Sequence, residues 1–61
     1  RPGDKFLHLI EGIVEVEISE EKFLLRRGDS IHFKSSHPLR ISNLADGESR
    51  IFWADWPRFT L

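Results

Sequence analysis

The sequence predicts an all-β domain, an antiparallel sandwich or barrel. Three observations carry that prediction. The dominant hydrophobic period is two, the apolar segments are short, and turn-forming residues punctuate the chain every 7 to 11 residues. The clearest strand is Val14 to Ser19, where Val14, Val16 and Ile18 alternate with Glu15, Glu17 and Ser19, one face dry and one wet. Before it, Lys5 to Ile10 is a nearly continuous apolar run closed by Glu11-Gly12, and this spacing predicts a hairpin between the two strands, with Gly12 supplying a positive φ. Ser19-Glu20-Glu21 then reverses the chain into Lys22 to Arg26. Arg27-Gly28-Asp29 turns it again into Ser30 to Phe33. Lys34 to Pro38 reads as a loop, because a proline cannot donate to a sheet ladder, and Leu39 to Asn43 as the next strand. After a loop at Leu44 to Glu48, the strand Ser49 to Trp56 has apolar residues on both faces, a pattern that predicts double burial. A helix over Glu20 to Arg27 is the competing reading; the strand patterns and Gly28-Asp29 on either side leave it little length.

Size and charge narrow the function classes. With 61 residues, 39% hydrophobic and 31% charged, the chain makes one small domain, 1–61, and buries only about 60% of the surface its unfolded form exposes. Nine Lys and Arg against ten Asp and Glu leave a net charge of −1, which provides no field to draw in a polyanion, so direct nucleic-acid contact by this segment is not expected. No apolar run approaches the ~20 residues of a membrane helix, so no membrane partner is expected and a soluble, cytoplasmic setting is. Without cysteine, neither a disulfide nor a zinc-thiolate site can staple the fold. The missing initiator methionine and the abrupt start suggest a piece of a longer polypeptide, and the small core suggests a partner surface.

Taken together, Phe6-Leu7-His8-Leu9-Ile10-Glu11-Gly12, Val14-Glu15-Val16, Leu25 through Phe33, and Ser35 through Asn43 resemble a cupin domain over nearly the whole chain. More narrowly, Gly28-Asp29-Ser30 followed by Phe33, Ser35-Ser36, Pro38 and Asn43 is similar to the C-terminal cupin of helix-turn-helix (XRE-type) bacterial transcriptional regulators. Gly28 and Asn43, fifteen apart, match the second cupin motif. The resemblance implies a jelly-roll barrel, here an incomplete one that a partner or N-terminal strands would complete. It also implies a homodimer, a small-molecule effector, and DNA contact through a separate helix-turn-helix domain. Metal-dependent members use a His-x-His pair and a Glu from the first motif and a His from the second, a donor set suited to a first-row divalent ion. The His pair would precede the chain. At the Glu position, seven before Gly12, this sequence has Lys5; at the second-motif His position, four before Asn43, it has Leu39. No metal and no cofactor are therefore expected, and no catalytic residue. The alternatives are a metal-dependent cupin isomerase or dioxygenase with its ligands outside this segment, and a purely structural self-association module.

The remaining candidates are binding residues. His8, His32, Arg40 and Trp53 are the candidate ligand contacts. His8 also reads as an ordinary strand histidine, and Arg40 matters only if it points inward. His32 lies opposite in face to Ile31 and Phe33, on a side that the pattern leaves open. His37, ahead of Pro38, reads as solvated. Gly28-Asp29-Ser30 reads as a turn, since nothing fixes a base and a third group around the hydroxyl. Arg26-Arg27 reads as a solvated turn. Trp56, Arg58 and Phe59, two aromatics and an arginine past the body of the last strand, are the candidate subunit interface.

Overall fold

The computed structural model describes residues 3–34 and 37–57, with Pro57 described by its backbone only. Within them the chain forms six strands and no helix: β1 (Gly3–Glu11), β2 (Ile13–Ile18), β3 (Glu21–Arg26), β4 (Ser30–Lys34), β5 (Leu39–Asn43) and β6 (Arg50–Pro57). They make two antiparallel three-stranded sheets, ordered β4-β1-β6 and β3-β2-β5. This is the expected antiparallel all-β architecture, consistent with a jelly-roll fragment. No described helix is long and apolar enough to cross a membrane.

The hairpin expected between Lys5 to Ile10 and the strand after Gly12 does not form. β1 pairs with β4 and β6, β2 pairs with β3 and β5, and the single residue Gly12 carries the chain from one sheet to the other. The reason lies in the apolar pattern. Leu7 and Leu9 of β1 and Val14 and Val16 of β2 are all 1% exposed or less, a degree of burial that stacked sheets give and a lone hairpin does not. Ile18, Leu25 and Phe33 complete the buried cluster, and Ile31, Leu39 and Ile51 pack against it. Gly12, at φ 101, is the one residue type suited to this crossing, because a Cβ there would collide with Ser49.

Three sheet-to-sheet crossings lie at the Gly12 end: Gly12 itself, residues 27–29, and residues 44–49. The Leu9 N–H donates to the Asp29 carbonyl and the Gly28 N–H to the Leu9 carbonyl, both at 2.8 Å, so the second crossing is tied to β1. Asp29 accepts from the Arg26 N–H at 2.8 Å, which is the turn role its triplet predicts. Asn43 organises the third crossing. Its Oδ1 accepts from the Ala45 N–H (3.0 Å) and the Ser49 hydroxyl (2.7 Å), while its Nδ2 donates to the Gly47 carbonyl (2.8 Å). The opposite end carries the two-residue β2–β3 turn at Ser19-Glu20, both with positive φ (50° and 73°), and the connection from β4 to β5.

The double burial expected for the last strand is also not found. Phe52, Trp53 and Trp56 are 53%, 38% and 43% exposed. β6 is an edge strand among the described residues, and none of them forms a second layer over its outward face.

Candidate functional site

Directly paired residues of an antiparallel ladder point to the same face, so register sorts every candidate. On the β4-β1-β6 sheet, Leu7 pairs with Ile31 and Trp53, and Lys5 pairs with Phe33 and Asp55. Since Leu7 is fully buried, these residues all face the space between the sheets. Lys5 is thus an inward-facing cation near the end opposite Gly12. Its ammonium lies 3.6 Å from the Asp55 carboxylate and 5.2 Å from the centroid of the Trp53 ring. Trp53 in turn meets Phe33 edge to face at 6.3 Å. Lys5 retains 26% of its side-chain exposure and Asp55 53%, so the ion pair contributes at most about 1 kcal/mol and mainly fixes where the ammonium stands.

Beside this group, between the edges of β3 and β4, a cleft of about 380 Å³ opens into the same interior. Ile18, Phe23, Ile31 and Phe33 give it an apolar floor; His32, His37, Ser19 and Glu21 give it a polar rim. His37 is anchored by a 3.0 Å hydrogen bond between its Nδ1 and the Ser19 hydroxyl, and the Ser19 N–H donates to the Pro38 carbonyl at 3.2 Å. The rim therefore spans two connections held together by two hydrogen bonds. A cavity with an apolar floor and a few hydrogen-bonding groups at its mouth suits a small organic molecule.

The four candidate ligand contacts do not converge. Trp53 faces the interior with Lys5. His8 and His32 lie on the opposite, outward face of the same sheet, where His8 shares a 2.6 Å hydrogen bond with the Ser30 hydroxyl and His32 stacks on Trp56 at 6.0 Å. Of that pair only His32, on the edge strand β4, also reaches the rim of the cleft. Arg40 points outward on the other sheet, paired in register with Glu17, and borders a separate depression of about 240 Å³. Its place corrects the inward reading considered for it and matches the surface-charge alternative. Trp56 is exposed on the outward face of β6; Arg58 and Phe59 lie outside the described residues.

Sequence reasoning missed Asp55 as the partner of Lys5, because fifty residues separate them and only the β1–β6 register joins them. It also missed His37, whose solvated loop setting is correct as far as it goes but whose link to Ser19 depends on the closure of two loops.

A family model for the cupin domain matches residues 1–55, which is nine-tenths of the chain. The chain belongs to the cupin family. No curated protein and no solved structure matched it. The divalent ion used by metal-dependent members of that family does not fit the residues present. The interior offers the Lys5 ammonium, engaged with Asp55 and Trp53, and the Leu39 side chain, packed on the core, at the two positions where the family motifs carry donors. An ammonium repels a cation and an isobutyl group donates nothing to it. Among the described residues no three of His, Cys, Asp and Glu are grouped so as to hold an ion.

Proposed function

We propose that this cupin domain is the non-enzymatic, effector-binding and self-associating module of a transcriptional regulator, with the DNA reader in a separate helix-turn-helix domain. The observation that carries the reading is the Lys5–Trp53–Asp55 group beside an open, apolar-floored cleft, which suits an organic molecule, while among the described residues no three of His, Cys, Asp and Glu are grouped to hold an ion. The regulator context is supported by the resemblance of the Gly28-Asp29-Ser30 through Asn43 segment to regulator cupins. An effector would act by population shift. It binds one arrangement of the associated domains better than another, and the difference in affinity moves the attached DNA readers.

The test is a thermal-unfolding screen of the chain against small aliphatic and aromatic carboxylates, amines and neutral organics. A true ligand raises the midpoint progressively with concentration, by about 2.7 kcal/mol of added stability at 100 times its dissociation constant. Phe23→Ala, which opens the floor at a partly exposed ring, and His37→Ala, which removes a rim group, should each reduce that response. Absence of any stabilising compound would instead favour a purely structural module with a filled interior.

A further inference from the structure

We propose that Asp46-Gly47, in the loop between β5 and β6, is a site of spontaneous backbone modification, where aspartate isomerises to isoaspartate by way of a cyclic imide. Imide formation needs a side-chain carboxyl or amide, a following N–H that no acceptor holds, and a backbone free to leave the extended range. Four Asp and one Asn can be compared on those terms. Asp4 and Asp55 sit in paired strands, where a ψ of about +135° turns the next nitrogen away from the side chain. Asp29 is committed to the Arg26 N–H at 2.8 Å. Asn43 holds three partners, and the nitrogen that would attack it, that of Leu44, donates to the Ile13 carbonyl at 2.9 Å. Asp46 alone among the described residues has none of these restraints. It is exposed and lies outside the strands, its carboxylate makes no ion pair or hydrogen bond, and no acceptor holds the Gly47 N–H. The approach is also open, since a Cβ built on Gly47 would meet nothing within 4 Å.

Water is the only co-reactant. The Gly47 nitrogen loses its proton and attacks Cγ of the neutral Asp46 carboxyl; the N–Cγ bond forms, the C–OH bond breaks, and one water leaves. A second water then opens the five-membered ring. Breaking N–Cγ restores aspartate. Breaking the bond between the nitrogen and the main-chain carbonyl carbon leaves Gly47 attached through Cγ, so that Cβ joins the main chain and the α-carboxylate is freed. The added atom falls where Asn43 grips the loop. Asn43 Oδ1 accepts from the Ala45 N–H on one side of it, and Nδ2 donates to the Gly47 carbonyl at 2.8 Å on the other. The Ser49 hydroxyl, also bound by Asn43, accepts from the Ile13 N–H at 3.3 Å and stands where a Cβ on Gly12 would be. Isomerisation therefore loosens the third sheet crossing at its Asn43 clasp. The freed α-carboxylate is the group that an S-adenosylmethionine-dependent isoaspartyl methyltransferase would take.

The test is ageing of the intact chain at physiological temperature in mildly acidic buffer. Two readouts follow it: methyl transfer from labelled S-adenosylmethionine by an isoaspartyl methyltransferase, and Edman sequencing of the tryptic peptide 41–50, which carries both Asn43 and Asp46. Methyl acceptance should grow with no change in the mass of the aged chain, and sequencing should stall at Asp46. Gly47→Val folds, because Gly47 lacks a positive φ and has open surroundings, and should slow the growth about tenfold or more, because a β-branched side chain crowds the attacking nitrogen. Asp46→Glu, which would have to close a less favourable six-membered ring, should stop it. In NMR spectra of the aged chain, a second set of Asn43 side-chain amide signals should rise in step with methyl acceptance. No acceptance by the intact chain over a time in which the free peptide 41–50 isomerises would overturn the proposal. So would stalling at Asn43, or equal rates in Gly47→Val and the unsubstituted chain. Unaltered Asn43 signals in a chain that does isomerise would overturn the loosening of the crossing.

Discussion

At the scale of single residues, the fold turns on a few side chains whose places are dictated by register. Gly12 is the sharpest case. Replacing it with alanine imposes a left-handed backbone on a Cβ-bearing residue, about 1–2 kcal/mol, and drives that Cβ into Ser49, about 1–3 kcal/mol more. Urea denaturation of Gly12→Ala should therefore show a loss of about 2–5 kcal/mol, enough to unfold much of so small a domain at 25 °C; a loss below about 1 kcal/mol would mean that the sheet crossing does not run through this residue. The two tryptophans separate in a similar way. Trp53 faces inward against Phe33 and Lys5 but is over a third exposed, so Trp53→Ala should cost about 2–3 kcal/mol, less than the 3–5 kcal/mol of a fully buried ring. Alternation within the last strand is enough to place Ile51 and Trp53 together on one side. It does not reveal that the opposite side faces solvent, because an uncovered aromatic face and a doubly buried strand have the same residue pattern.

At the scale of elements, all six strands were legible from period-two patterning and turn residues, and the β2–β3 connection falls where Ser19-Glu20-Glu21 places it. Pairing was less legible. The one-residue gap at Gly12 reads locally as a hairpin, while the long-range fit of Leu7 and Leu9 over Val14 and Val16 decides for stacked sheets, and no local signal encodes that fit. The β2–β3 turn also departs from the sequences that favour it, since both central residues have positive φ and neither is Gly, Asn or Asp. Relieving the strain at the more extreme residue should help. Glu20→Gly removes about 1–2 kcal/mol of left-handed strain and returns about 0.5–1 kcal/mol of chain entropy to the unfolded state. A net gain of about 0.5–1 kcal/mol is expected in the same urea titration, and a net loss would contradict the assigned turn geometry. Ser19 is the poorer target because its hydroxyl and N–H hold His37 and Pro38.

At the scale of the whole molecule, His32 links the two surfaces: it stacks on Trp56 of the outward aromatic face and borders the cleft. The substitution of Lys5 and Leu39 for metal donors was readable in the sequence once the cupin motifs were aligned. The engagement of Lys5 by Asp55 and Trp53 was not, because it requires the β1–β6 register. Everything proposed about function depends on that interior being equipped for organic ligands and unfit for a transition ion. The most direct measurement is elemental analysis of the purified chain, before and after incubation with Fe(II), Mn(II), Ni(II) and Zn(II), paired with thermal unfolding in each metal. Well under one equivalent of any metal should remain after gel filtration, with no rise in midpoint. One equivalent retained, with a midpoint increase that EDTA reverses, would contradict it.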